Sequence, residues 1–219
     1  MKTSPHKRPD SRRTDRLSWV HTSRLHNSHS LFFVQSLQSL TVTASLFPSS
    51  RFLANALLRP IDFGRARVIV ELGMGTGAIT HEILRRLQPG GVLYGVDINK
   101  AFITHVRRKI HDSRFVPILG GAERLGLLLH QRGIERADAI VSSLGLSAMG
   151  PELRSNIVRQ AADHLSGDGV LTQYQYLQIN APGMRRFRER DFLRGYFRVV
   201  DSERVIWNLP PANVFTCRL

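Results

Sequence analysis

Seven residues carry the clearest chemistry in this chain: Glu71-Leu72-Gly73-Met74-Gly75-Thr76-Gly77, set between an apolar run and an amphipathic stretch. Glycines at this spacing let a backbone turn sharply, adopt positive φ and approach a ligand closely. A helix opening straight after them would offer unpaired N–H groups and the positive end of its dipole. A second acid, Asp97, closes the next apolar run and is followed by Ile98. A carboxylate there can accept hydrogen bonds from two ribose hydroxyls. Acid, spaced glycines and strand-end acid together read as a nucleoside-cofactor site, against the plain alternative of a glycine-rich turn that binds nothing.

Two cofactor classes fit the glycines. Gly73-x-Gly75-x-x-Ala78 matches the G-x-G-x-x-A fingerprint of dinucleotide sites. Glu71 weighs against that choice, because a carboxylate beside the loop repels a pyrophosphate and attracts an ammonium group. S-adenosyl-L-methionine carries an ammonium, a ribose and a carboxylate that can sit on the helix N-terminus, so it is the expected cofactor. The histidines His6, His21, His26 and His29 show no metal-ligand spacing, and no metal is expected.

The elements that position these residues alternate from residue 66 onward. Strands are predicted at 67–72, 92–97, 115–119, 138–143 and 169–176, and helices at 77–87, 100–110, 122–132, 151–165 and 184–194. Continuous apolar strands imply a parallel sheet covered on both faces, an α/β architecture. Two further extended runs, 197–207 and 213–218, flank Asn208-Leu209-Pro210-Pro211, which turns but cannot continue a central strand. They predict an antiparallel hairpin closing the sheet. Ahead of this domain (65–219), residues 30–64 read as two helices. One is uncharged and amphipathic, with Phe33, Leu37, Leu40, Ala44 and Phe47 at helical spacing; the other starts at Ser49 or Ser50 and ends near Pro60. Residues 1–29 are basic and poor in large apolar side chains, the composition of a disordered arm.

Thirty-one Lys and Arg against 17 Asp and Glu give a formal net charge of +14. A balance this basic favours an anionic partner, nucleic acid or an anionic membrane surface. One cysteine, Cys217, excludes an internal disulfide. No stretch of about 20 apolar residues predicts a membrane-spanning helix, and the N-terminus lacks the pattern of a secretory signal.

Glu71-x-Gly73-x-Gly75-x-Gly77 with Asp97 resembles the cofactor motif of class I S-adenosylmethionine-dependent methyltransferases. The resemblance implies a Rossmann-like seven-stranded sheet with helices on both faces and the last strand antiparallel. It further implies that Gly121 and Ala122 lie near the adenine and that Ser142 borders the transferred methyl group. Over residues 31–218 the chain is similar to one branch, the bacterial phospholipid N-methyltransferases, which methylate phosphatidylethanolamine. The matching stretches are Pro48-Ser49-Ser50-Arg51-Phe52-Leu53-Ala54, Glu71 to Thr80, Gln173-Tyr174-Gln175-Tyr176 and Arg204 to Ala212 with its Trp207-Asn208-Leu209-Pro210-Pro211 core. The branch implies an aminophospholipid acceptor at an anionic membrane surface and a cytoplasmic enzyme peripheral on the inner face, with residues 31–47 docking on lipid. Ser142-Ser143-Leu144-Gly145 departs from the branch's expected Ser-Gly-Leu-Pro turn, which leaves other aminolipids, such as ornithine lipids, open.

For such a reaction the amine must be neutral and held in line. Tyr176, at the C-terminal end of strand five, is the candidate to hold it and take its proton, against a plain core role. Arg51 and Arg204 are candidates for the lipid phosphate, and Asn208 for further substrate contact. The rival acceptor is an RNA base, as in rRNA adenine methylation, which the basic charge permits. The aromatic that stacks on a flipped base after strand four has no counterpart in Ser142-Ser143-Leu144-Gly145, so nucleic acid ranks second.

Overall fold

The computed structural model describes residues 49–177 and 187–219. The expected helix at 31–47 and the basic arm lie outside the described residues. Strands β1 (Val68–Leu72), β2 (Val92–Asp97), β3 (Phe115–Leu119), β4 (Ala137–Ser142), β5 (Leu165–Tyr176), β6 (Val199–Val205) and β7 (Ala212–Arg218) form one sheet in the order β3-β2-β1-β4-β5-β7-β6. β1 to β5 run parallel; β7 inserts antiparallel between β5 and β6. The order of strand addition reverses between β1 and β4, so their C-terminal ends flank a crevice, the usual ligand position in open α/β sheets.

Helices cover both faces, as the apolar strands require. α1 (Ser49–Leu58), α2 (Ala78–Arg86) and α3 (Lys100–Lys109) cover one face, burying Leu53, Leu57, Ile83, Ile103 and Val106 against Ile69, Leu93 and Val141. α4 (Leu125–His130), α5 (Pro151–Asp163) and α6 (Glu189–Leu193) cover the other, where Leu125, Leu129, Ile157, Val158 and Leu193 meet Val70, Leu72, Ile140 and Leu171. Gly95 on β2 is required by this packing: a Cβ there would meet Met74 Sδ at 2.6 Å and Phe115 Cε2 at 2.8 Å.

Most boundaries fall within two residues of the sequence expectation, and three elements differ by more. The helix predicted over 122–132 is a 3₁₀ turn at Ala122–Arg124 followed by α4. β5 begins at Leu165 rather than 169, with an irregularity in its pairing to β4 near Ala137 and Ala139. Of the helix predicted over 184–194, residues 184–186 lie outside the described residues, Phe187 and Arg188 are not helical, and α6 spans Glu189–Leu193.

Candidate functional site

β1 carries Glu71 to the C-terminal edge of the sheet and buries it. Thr80 Oγ1 donates to Glu71 Oε2 at 2.6 Å, while Oε1 has no partner among the described residues. Burial pushes this carboxyl up to about 8; hydrogen bonds from Thr80 oppose the rise and the nearby charge of Asp97 adds to it. An orphaned acceptor at a ligand loop is an unmet hydrogen-bonding demand.

The loop after Glu71 closes on itself through Gly77 N to Met74 O, 3.0 Å, and Gly73, Gly75 and Gly77 all take positive φ. Gly73 also faces a close neighbour: a Cβ would stand 2.8 Å from Leu144 Cδ2. α2 opens immediately after Gly77 with no side-chain cap, leaving its first N–H groups for a ligand. Asp97 faces the loop. Its Oδ2 accepts from Gly75 N at 3.0 Å and its Oδ1 from Asn99 N at 2.8 Å, so each oxygen keeps a second lone pair. Beside it Ile98 stays half-exposed, an apolar surface that a flat base can cover. Gly121 and buried Ala122 follow β3 on the same edge.

An orphaned buried carboxyl oxygen, a strained glycine cradle, an uncapped helix start and a strand-end acid fit the ammonium, carboxylate and ribose of S-adenosylmethionine. They leave no cation for a pyrophosphate in the loop.

Ser142 ends β4, buried, in register with Leu72 of β1 and Gln173 of β5. Its Oγ accepts weakly from Leu144 N at 3.4 Å. Tyr176 lies at the end of β5 and packs edge-on against Tyr174, ring centroids 5.1 Å apart, on the α1 side of the sheet. Burial raises both phenols, so each keeps its proton. Arg51 and Arg204 are exposed on α1 and β6. Asn208 is buried and its Nδ2 donates to Pro210 O at 2.7 Å: the amide expected to meet substrate closes its own turn.

The register Tyr176–Ala212–Val205 puts the β6–β7 turn at this same edge. Leu177 N donates to Pro211 O at 2.7 Å and ties the turn to β5. Trp207 is 72% and Leu209 78% exposed at its tip, with Ile206 and Phe52 of α1 also exposed. A groove of about 680 Å³ runs beneath, lined by Phe52, Arg59, Arg86, Arg204, Ile206 and Trp207 among others. Arg59 is paired with Glu203.

On the opposite face the structure buries Glu189, which the sequence reading did not single out. Its signal was an acid in register with an apolar stripe: Glu189, Leu193 and Phe197 follow one another at helical spacing, and all three are buried.

Sheet order and loop together define a nucleoside-cofactor α/β enzyme, and the comparisons with known proteins agree. Residues 70–171 match the family model described as a methyltransferase domain. The chain belongs to the class I S-adenosylmethionine-dependent methyltransferases, and its cofactor is S-adenosylmethionine. Among individual proteins it is similar to the ornithine lipid N-methyltransferase of Singulisphaera acidiphila, 32% identical over 189 residues, 86% of this chain and 94% of the other. A ribosomal RNA small subunit methyltransferase H of Christiangramia forsetii is 33% identical over 81 residues only, 37% of this chain and 26% of that protein. The fold recurs in the Burkholderia thailandensis 1,6-didemethyltoxoflavin-N1-methyltransferase, solved with S-adenosylhomocysteine (TM-score 0.65, 21% identity, covering 87% of this chain and 86% of that one).

Proposed function

We propose that this methyltransferase acts on the amine of a membrane aminolipid, an ornithine lipid or an aminophospholipid such as phosphatidylethanolamine. The observation that carries this reading is the apolar tip formed by Ile206, Trp207 and Leu209 with Phe52 nearby, set at the cofactor edge beside Arg204 and Arg86, with Arg59 paired to Glu203 in the same groove. Monomeric proteins rarely expose such clusters without a partner. Apolar side chains that enter the acyl boundary, flanked by arginines that meet anionic head groups, suit a bilayer surface. The likeness to an ornithine lipid N-methyltransferase over almost the whole chain supports the same class of acceptor. The likeness to an rRNA methyltransferase covers little more than a third of the chain, and Ser142-Ser143-Leu144-Gly145 at the end of β4 contains no base-stacking aromatic. No described helix is long and apolar enough to cross a membrane, so the reading is one of peripheral attachment.

In this reading Glu71 holds the cofactor's ammonium, Gly73, Gly75 and Gly77 admit its backbone, Asp97 holds its ribose, and Ile98, Gly121 and Ala122 flank its base. Bound there, S-adenosylmethionine supplies an electrophilic methyl group beside Ser142. Arg204 and Arg51 draw the lipid phosphate or carboxylate to the rim, and Tyr176 stays a hydrogen-bonding phenol near β5.

The test is incubation of the protein with S-adenosylmethionine labelled in the methyl group, with total bacterial lipid in one arm and total RNA in another. Label in the lipid fraction, resolved chromatographically into ornithine lipid and phosphatidylethanolamine, is the expected result. Label confined to RNA overturns it.

A further inference from the structure

The face of the sheet opposite α1 contains a second buried carboxyl. Glu189 is 2% exposed; among the described residues no donor meets either oxygen with hydrogen-bond geometry, and the Gln173 amide, whose N–H groups are turned to two carbonyls, lies beside it. Buried carboxyls are almost always satisfied, so one with both oxygens open asks for a ligand. Its surroundings are built from three other segments. Gln173 of β5 donates through Nε2 to Leu144 O and to Tyr174 O, both at 2.8 Å, which locks the amide in place. Gln173 Oε1 and Ser143 Oγ are left without partners. Arg154 of α5 lies close enough to act on Glu189, but it forms no ion pair with it among the described residues. Its guanidinium stacks instead 4.2 Å from the Phe187 ring centroid, and its Nε is also unpaired.

These open groups sit at the level of the reaction. Gln173 is in register with Ser142, and Ser142 with Leu72, the residue before Gly73. Leu144 connects the two sides: its carbonyl takes the Gln173 hydrogen bond and its side chain lies over Gly73. A continuous line of contacts therefore runs from the cofactor loop through Leu144 and Gln173 to Glu189. The open groups around Glu189 are mainly acceptors: two carboxyl oxygens and the amide oxygen of Gln173. That set suits a donor with several N–H bonds, and a primary ammonium has three.

We propose that Glu189, with Gln173 Oε1 beside it, binds the primary ammonium of the acceptor and takes its proton. This rests on the aminolipid reading above and names the part of the head group that ornithine lipids and phosphatidylethanolamine share. In the proton step one N–H bond breaks, an O–H bond forms on Glu189, and the nitrogen keeps the electron pair it needs as nucleophile. The trimethylated head group has no N–H and cannot take part.

Burial pushes Glu189 up to about 8, against the opposing influences of Gln173 and Arg154. The remaining ionisable neighbour acting with it is the buried Cys217 of β7; Arg188, Arg190 and Asp191 flank it in sequence. Near pH 7 the empty site therefore holds a proton, which makes Glu189→Gln a discriminating change. If the carboxyl is structural, glutamine reproduces its neutral form and nothing else moves.

The experiment uses the full chain saturated with S-adenosylhomocysteine and titrated with water-soluble dihexanoylphosphatidylethanolamine, with dihexanoylphosphatidylcholine as the control. Calorimetry in buffers of different ionisation enthalpy should show the ethanolamine lipid binding at pH 7 with release of about one proton. Glu189→Gln should weaken that binding at least tenfold and abolish the proton release, while leaving S-adenosylhomocysteine affinity unchanged. In turnover, kcat/KM for the amine should fall at least a hundredfold and lose its acid limb. Wild-type methylation of lipid with an unaltered Glu189→Gln overturns this site and leaves the aminolipid reading standing. A wild type that neither binds nor methylates aminolipid overturns both.

Discussion

Glu71→Gln should make the empty protein more stable and the cofactor complex weaker. The Glu71 carboxyl ionises near 8 in the fold against 4.5 ordinarily, because burial disfavours the charged form. Between those values the folded state holds a proton that the unfolded chain has lost, so stability falls as pH rises through this window. The penalty is absent below pH 4.5 and complete above pH 8. At about 1.4 kcal/mol for each pH unit, it reaches roughly 3 kcal/mol at pH 7. Glutamine keeps the shape and cannot ionise, although its NH₂ group needs a partner where the carboxyl had none, which takes back about 1 kcal/mol. The penalty exceeds about 4 kcal/mol at pH 8, so the variant should gain about 3 kcal/mol over wild type there and gain nothing at pH 5. An ammonium docked on Oε1 favours the carboxylate, so wild-type affinity for S-adenosylmethionine should rise with pH up to about 8, by as much as tenfold for each unit. Loss of that charge-assisted hydrogen bond should cost the variant about 1.5–3 kcal/mol, roughly ten- to a hundredfold in affinity. Urea unfolding at pH 5 and pH 8, with calorimetric titration of S-adenosylmethionine, reads both effects. A variant no more stable than wild type at pH 8, or one that binds the cofactor equally well, refutes the assignment of Glu71 as the buried partner of the ammonium.

Asp97→Ala should lower S-adenosylmethionine affinity at least a hundredfold in calorimetry, because the ribose loses its acceptor and Gly75 N and Asn99 N lose theirs. Gly73→Ala puts a Cβ 2.8 Å from Leu144 Cδ2 at φ +77°. Strain and overpacking together should cost about 2–4 kcal/mol, visible as a lower thermal midpoint, and an unchanged midpoint would show that Leu144 moves aside freely. Trp207→Ser with Leu209→Ser removes the most exposed apolar side chains of the β6–β7 turn. Sedimentation with phosphatidylglycerol vesicles should drop at least tenfold while turnover of a short-chain soluble acceptor persists; undiminished sedimentation removes the turn from the membrane contact.

What the sequence disclosed was whatever depends on near neighbours. The apolar runs of β1 to β4, the glycine loop and the two acids at strand ends are local patterns, and the fold places them together because consecutive βα units in one sheet bring their C-terminal edges to one side. The hairpin was equally legible from Asn208-Leu209-Pro210-Pro211, yet its insertion of β7 between β5 and β6 is a pairing choice between distant segments. The turn-closing part of Asn208 was hidden for a related reason. Its side chain meets a carbonyl two residues away, a contact that depends on the turn's geometry rather than on residue type. The apolar tip joins Phe52 to Trp207, far apart in sequence, and could not be seen as one surface before the sheet was assembled. Glu189 shows the same limit: an acid in an apolar stripe signals burial, but only the register of Gln173 with Ser142 places that burial beside the reaction.

The two buried carboxyls answer one electrostatic problem. An aminolipid arriving as an ammonium would bring a cation toward a cofactor that already bears a sulfonium and its own ammonium, in surroundings where like charges at close range repel by several kcal/mol. Permanent carboxylates would relieve that repulsion but would burden the empty protein with uncompensated buried charge. Carboxyls that ionise near 8 avoid both outcomes. Glu71 and Glu189 stay neutral while the crevice is empty, and each can become negative when a cation enters. Their consequences differ at the next step. Glu71 must keep its charge as long as the cofactor's ammonium stays. Glu189 must regain a proton for the amine to become a nucleophile, so only Glu189 should leave its mark on the pH dependence of kcat. A kcat profile whose acid limb survives Glu189→Gln and disappears in Glu71→Gln would reverse these roles.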